Sequence, residues 1–488
     1  MIVVGTGNAA MAAAMAAHRE GARVLMLEKG PAEAVGGNSF FAGGGFRFAY
    51  DGIGDVKRLI DLSPAEEAAV DVGSYSKGKY LDDLMRVTEG LTEIGLAQRL
   101  VDQSLPTMVW MRENGLRWAL STGRQAFKVG DVYRFWGGLT IEAVGGGAGL
   151  IQRWQEVVRN AGITIRFDAG AYALLQSRTG AIEGVRIKTP AGFEEIRSGA
   201  VVLACGGFEA NPEMRTRYLG PGWELAKVRG TRYNTGDGIR MALAVDAQPF
   251  GQWSGSHAVA WDIGAPPFGN RVIGDLYQKH SYPLGLIVNI EGKRFVDEGA
   301  DFRNYTYAKY GRVVLEQPGQ FAWQIWDQKT KHLQRDEYNI KQCTKVTANT
   351  IEELAKKLDG VNAAEFVKTI AEYNAAVRTD IAFNPNIKDG RHTQGLAVPK
   401  SNWANTIDKP PFEGYAVTCG VTFTFGGLRI NNDGRVLDLD HAPIAGLYAA
   451  GELVGGIFYF NYPGGTGLTS GSVFGKIAGD SAGTAARA

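Results

Sequence analysis

Ile2-Val3-Val4 is a short β-branched run that passes through Gly5-Thr6-Gly7-Asn8-Ala9-Ala10 straight into an alanine-rich helix pattern. A second apolar run, Arg23 to Leu27, follows and ends in Glu28. Strand, glycine turn, helix and second strand in this register constrain the chain to a βαβ unit shaped for a dinucleotide. Each part has a mechanical reason. Gly5 permits the tight turn, Gly7 lets backbone approach a pyrophosphate, and Ala10 replaces a third glycine where the helix packs on the strand. The helix start at Asn8 and Ala9 points unpaired N–H groups and a positive dipole end at the phosphates. Glu28, about 20 residues on, places a carboxylate for ribose hydroxyls.

Two glycine clusters follow closely, Gly36-Gly37-Asn38-Ser39 and Ala42-Gly43-Gly44-Gly45, and imply backbone wrapped against a long, flat cofactor. With them the chain resembles the flavoprotein subunits of the fumarate reductase and succinate dehydrogenase superfamily. The resemblance continues through Leu203-Ala204-Cys205-Gly206-Gly207-Phe208, Thr235-Gly236-Asp237-Gly238 and Gly446-Leu447-Tyr448-Ala449-Ala450-Gly451-Glu452. It implies FAD, with Glu452 reaching the ribityl chain and Lys29, Ala171, Gly467, Leu468 and Thr469 among the lining residues. Membrane-bound members bond the flavin through a histidine where this chain has Asn38, so dissociable, non-covalent FAD is expected. The implied fold is α/β, a Rossmann-like (glutathione-reductase-type) FAD domain with an inserted α+β capping domain.

Composition removes other classes. The chain has 488 residues, 45% hydrophobic and 21% charged, and a net charge of +1, which gives no electrostatic footprint for nucleic acid. Cys205, Cys343 and Cys419 are scattered without CxxC spacing, against a disulfide framework, a metal site or a bound iron–sulfur cluster. No apolar run reaches membrane-spanning length and no signal peptide is seen, so a cytoplasmic location is expected.

Cofactor motifs occupy residues 1–254 and 419–488, and residues 255–418 carry none and are expected to form the cap. Near its end Thr350-Ile351-Glu352-Glu353 caps one helix, and Asn362 with Glu365 caps another, apolar at Phe366, Ile370, Tyr373 and Val377. Residues 384–412 read as irregular chain.

Such a flavoprotein accepts a hydride from one carbon while a side chain removes a proton from its neighbour. After Gly292-Lys293-Arg294-Phe295-Val296-Asp297-Glu298, Arg303 falls, with one residue of slack, where the fumarate reductases place their proton-donating arginine. His257 best matches the family's substrate histidine. The departures are informative. The segment that supplies a carboxylate-binding histidine in fumarate reductases reads Gly420-Val421-Thr422-Phe423-Thr424-Phe425-Gly426-Gly427 here, Tyr462 stands where a second carboxylate arginine is expected, and the proton relay has no match near Tyr282. Residues 399–405 and 460–471 resemble the tricarballylate dehydrogenases, while Tyr462-Pro463-Gly464 is shared with the 3-ketosteroid dehydrogenases, whose tyrosine polarises a ring ketone. The aromatic group Phe423, Phe425, Phe458, Tyr459, Phe460 and Tyr462 suits a cyclic substrate. A trianion requires cations, for which Arg124, Lys128, Arg134, His257, His280, Arg303, Arg391 and His392 are available. The leading expectation is an FAD-dependent dehydrogenase acting on a small polycarboxylic acid. Alternatives are a ring-ketone desaturase, a fumarate reductase-type enoate reductase and an electron-transfer subunit without its own substrate. The electron acceptor is expected to be separate: a quinone, an iron–sulfur protein or oxygen.

Overall fold

The computed structural model describes residues 1–136 and 138–487. Ile2–Val4 lies at the centre of a six-stranded sheet, parallel to Leu25–Leu27 on one side and to Val201–Leu203 on the other. Thr164–Arg166 extends one edge, and Pro443–Ala449 then Arg435–Leu437 extend the other, the last antiparallel. All three residues of Ile2–Val4 are buried, as a parallel strand covered on both faces requires.

The helix Asn8–Arg19 packs against the C-terminal helix Thr466–Ala485. Glycines at every fourth position make this contact possible. A Cβ on Gly475 would lie 2.5 Å from the Ala9 carbonyl oxygen, and one on Gly479 2.3 Å from that of Ala13. The chain returns over more than 400 residues to place these two helix starts side by side over one cavity. Gly170–Gln176, Ile182–Thr189 and Gly192–Arg197 form a separate antiparallel sheet. The molecule is α/β, with the expected Rossmann-like FAD domain.

The inserted domain is built on the long strand Phe412–Thr424. It pairs with Lys227–Val228, Ser256–Asp262, Phe321–Trp326 and Lys345–Ala348, and Leu286–Val288 adds to the edge. This sheet therefore takes strands from residue 227 through residue 424. Ile351–Lys357 starts at Thr350, whose hydroxyl accepts from the Glu353 N–H at 3.1 Å, and Ala363–Ala376 starts at Asn362, which accepts from Glu365. Phe366, Ile370 and Tyr373 face a second core, as their spacing predicts. Residues 384–411 contain no helix or strand. Among the described residues no helix is long and apolar enough to cross a membrane.

Candidate functional site

The first glycine turn shows two different constraints. Gly5 has φ +111°, and a Cβ there would lie 2.4 Å from the Ala204 carbonyl oxygen, so the protein itself forbids a side chain. A Cβ on Gly7 would meet nothing closer than Ser39 Oγ at 3.5 Å. Space at Gly7 is thus kept for a ligand, as backbone approach to a pyrophosphate demands. No side chain caps the helix that starts at Asn8, and its first turn carries no acid, which leaves its N–H groups for an anion.

The cavity beneath is lined by Gly5, Gly7, Asn8, Ala9, Glu28, Lys29, Gly37, Asn38 and Ser39 from the first segment. Gly43, Gly44, Gly45, Ala171, Ala204, Cys205, Gly206 and Asp237 continue it, and Gly451, Glu452, Gly467 and Leu468 close it. Three predicted residues do not reach it. Ala10 is buried, Gly36 packs on Ile151, and the Thr469 hydroxyl donates to the Arg47 carbonyl at 2.8 Å. Glu28 sits at the end of its strand, with Oε1 accepting from Gly30 N–H at 2.8 Å and Oε2 from the Thr6 hydroxyl. Lys29 pairs with Asp237 at 2.6 Å across the rim. A long cavity with a bare helix start and a buried carboxylate fits FAD.

The glycine cluster has further reasons that the sequence did not disclose. A Cβ on Gly43 would collide with Arg124 Nη1 at 2.2 Å, and one on Gly44 with the Gly146 backbone. Arg124 occupies the space that Gly43 leaves and donates to its carbonyl at 3.1 Å.

Beyond Gly43 the cavity continues between the domains, where Arg124, Arg229, Arg303, Arg335, His257, His280, Asn304, Tyr307, Phe423 and Tyr462 line it. Arg229 is held by Asp275 at 2.6 Å, and Arg124 lies 3.8 Å from the same carboxylate. Arg335 lies 3.0 Å from Glu337. Arg303 occupies a single helical turn, Arg303–Tyr305, and donates to the Arg124 carbonyl. Among the described residues Arg303 makes no ion pair. Burial, helped by the positive charges of Arg335 and Arg124, holds its guanidinium well below the ordinary arginine range.

His257 is re-aimed by an irregularity in the register of Ser256–Asp262 against Phe412–Thr424. Its ring lies 4.8 Å from that of Tyr462 and 5.0 Å from that of Tyr307. Burial and then Arg229 keep it neutral, and burial followed by the surrounding arginines does the same for His280. His257 Nε2, His280 Nε2, both amide atoms of Asn304 and Arg335 Nη1 are buried without hydrogen-bond partners. Buried polar atoms of this kind await a ligand. A second cavity of about 990 Å³ shares Arg124, His280, Arg303 and Arg335, and continues beneath the hairpin of Ala126–Val129 and Val132–Phe135.

The FAD binding domain family model matches residues 1–468. The chain belongs to the FAD binding domain family. A probable fumarate reductase of Shewanella frigidimarina is 28% identical over 99% of this family member and 74% of its own length. The NADH:fumarate oxidoreductase of Klebsiella pneumoniae is 29% identical, and the chain spans 48% of it. A 3-oxosteroid 1-dehydrogenase of Mycobacterium tuberculosis is 29% identical over 66% of the chain and 60% of its own length. Among solved structures, the open conformation of a flavocytochrome c3 fumarate reductase superposes with a TM-score of 0.73 at 25% identity, covering 99% of this chain and 78% of that one. These relatives place the FAD binding domain protein in the fumarate reductase flavoprotein superfamily, and FAD is its cofactor.

In this FAD binding domain protein, Arg303, Tyr462 and His257 converge on one cavity, as do Arg124 and His280 from the wider set of cations. The other cations do not. Arg391 is spent on the carbonyls of Ala404, Thr379 and Ile381. Lys128 and Arg134 line only the outer cavity, and His392 lines neither. Of the aromatic group only Phe423 and Tyr462 line the inner cavity; Phe425 and Phe458 belong to the core, and Phe460 is exposed. Arg229 and Arg335 escaped the sequence reading because neither lies in a recognisable motif.

Proposed function

We propose that the protein is a dehydrogenase that introduces a C=C bond beside a carboxylate of a small polycarboxylic acid, a tricarballylate-like substrate. It is an FAD-dependent oxidoreductase acting on CH–CH groups. The observation that carries the finer reading is charge. Arg124, Arg229, Arg303 and Arg335 line one cavity, while Asp275 and Glu337 are the carboxylates paired with them. With Arg303 serving as the base, Arg124, Arg229 and Arg335 keep their charge against these two carboxylates, so the cavity stays net positive by one charge before a substrate enters, and guanidinium matches carboxylate geometry.

Bound FAD supplies the hydride acceptor. The chain's own residues do the rest. Arg124, Arg229 and Arg335 hold carboxylates, and Asn304 with the neutral imidazoles offers hydrogen bonds. Arg303 removes the proton from the carbon next to the hydride-donating one. A base role demands a lowered guanidinium, and the closed, positively charged surroundings of Arg303 favour that direction. In the reducing direction the same guanidinium delivers the proton. The cofactor is proposed to be dissociable, because the Asn38 amide is occupied by Thr231, Thr422 and Glu209. Reoxidation is assigned to a separate acceptor.

One observation favours a ring-ketone substrate instead: the Tyr307 and Tyr462 hydroxyls lie together at the same cavity, and a steroid dehydrogenase is among the relatives. Anaerobic addition of tricarballylate, succinate and cyclic ketones to the oxidised enzyme distinguishes them. Bleaching of the flavin by tricarballylate supports the proposal; bleaching by cyclic ketones alone overturns it.

A further inference from the structure

On the far side of the cofactor cavity two carboxyls meet. Glu452 lines the cavity, and its Oε1 accepts from Thr424 N–H at 2.8 Å and from the Thr424 hydroxyl at 3.2 Å. Gly207 makes room for it, since a Cβ there would lie 2.3 Å from Glu452 Oε1. Behind it stands Glu209, wholly buried. Glu209 Oε1 accepts from Asn234 Nδ2 at 2.6 Å and from Asn38 Nδ2. Glu209 Oε2 is buried with no donor among the described residues.

The two carboxyls share a donor: Asn234 Nδ2 lies 2.6 Å from Glu209 Oε1 and 3.5 Å from Glu452 Oε2. The neighbouring cation, Arg215, makes no ion pair with either among the described residues: its Nη1 donates to the Glu209 backbone carbonyl and its Nη2 to that of Glu224. Two ionised carboxylates are acceptors only, and two that crowd one amide donor in a dry site cannot both stay charged. One proton between them supplies the partner that Glu209 Oε2 lacks.

We propose that Glu209 carries this proton and is a positioning residue for the cofactor, donating to Glu452 so that a singly charged, fixed carboxylate faces the FAD cavity. Burial favours the neutral form of Glu209 in the same direction. Asn38 and Asn234 complete the arrangement by donating to the oxygen that carries no proton. The inference rests on FAD binding and is independent of the substrate class, so it stands or falls separately from the polycarboxylate reading.

Glu209→Gln imitates the protonated acid: its amide donates to Glu452 and its oxygen accepts from Asn234. Infrared spectra of the wild-type holoenzyme at neutral pH should contain a band from a buried protonated carboxyl that Glu209→Gln removes. FAD should bind Glu209→Gln within about threefold of wild type and Glu209→Ala at least about tenfold more weakly, a change of about 1.4 kcal/mol. A wild type without the band, or a band that persists in Glu209→Gln, overturns the proposal, as does a Glu209→Ala protein that binds FAD normally. Should the variants fail to fold, a neutron map of the wild-type holoenzyme decides: a deuteron on Glu209 Oε2 supports the assignment, and one on Glu452 or none refutes it.

Discussion

The hydroxyl of Tyr307 lies 2.5 Å from that of Tyr462. The first opens a helix of the cap and the second belongs to the loop before the last helix of the FAD domain. The same loop reaches the turn carrying Arg303 through Gly464 N–H to the Asn304 carbonyl at 2.8 Å and Asn461 Nδ2 to the Tyr305 carbonyl at 2.6 Å. The groups proposed for proton transfer and substrate binding are thus braced together across the domain junction. Burial raises both phenols, so each is a neutral donor at ordinary pH.

Tyr462→Phe and Arg335→Gln separate the substrate classes. With a polycarboxylate, Arg335→Gln should raise KM about 10- to 100-fold, the equivalent of losing about 1.5–3 kcal/mol of charged hydrogen bonding. Tyr462→Phe should then be mild. With a ketone oxygen against the hydroxyl, Tyr462→Phe should cost about 10²-fold or more in turnover. Steady-state kinetics on both variants checks this.

Arg303→Lys should lower turnover about 10²- to 10⁴-fold with FAD still bound. Because the base must be unprotonated, wild-type dehydrogenation should rise with pH, and the reducing reaction should fall as pH rises through the same group. Near-normal turnover in the variant would move the role to Tyr307, since neither Tyr282 nor Tyr305 lines the cavity.

The two glycines of the first turn should behave differently. Gly5→Val meets backbone at 2.4 Å and should prevent folding of the FAD domain, whereas Gly7→Val meets only ordinary contacts and should fold without FAD. Circular dichroism and flavin absorbance of the purified proteins distinguish the outcomes.

Acid or heat denaturation should release all the FAD. Flavin absorbance that stays with the precipitated chain would contradict the dissociable cofactor.

Lys400 is fully buried, with Nζ donating to the Gly285 carbonyl, and burial lowers it to about 8. Unfolded lysine titrates near 10.4, so between those values the unfolded chain binds more protons and stability rises with pH. Below about pH 8 the full cost of a charged buried lysine, about 3 kcal/mol, is present. Lys400→Met should therefore melt higher than wild type at pH 7, and the difference should shrink towards pH 10. A gap independent of pH would exclude this account.

The cofactor half of the protein was legible because its constraints are local. Ile2–Val4, the turn at Gly5 and the carboxylate at Glu28 lie within one βαβ unit, where spacing along the chain equals position in space. The helix caps at Thr350 and Asn362 were readable for the same reason. The reaction site was only partly so. Resemblance singled out Arg303 and His257, which line the cavity, whereas Arg229 and Arg335 line it too and carry no local signature. The glycine motif ends at Phe208, one residue before Glu209, and nothing in the sequence announces that a buried acid there will meet Glu452.

The sequence by itself determined the cofactor class and the Rossmann-like sheet, since turn sterics and strand and helix periodicity act over a few residues. Only the tertiary structure decided which cations share a cavity. Arg124, Arg229, Arg303 and Arg335 are up to 211 residues apart, and their convergence depends on the cap closing on the FAD domain. It also decided that Gly43 makes room for a guanidinium and that Phe458 belongs to the core. Long-range packing sets those relationships, and charge and shape complementarity at a distance leave no periodic trace along the chain.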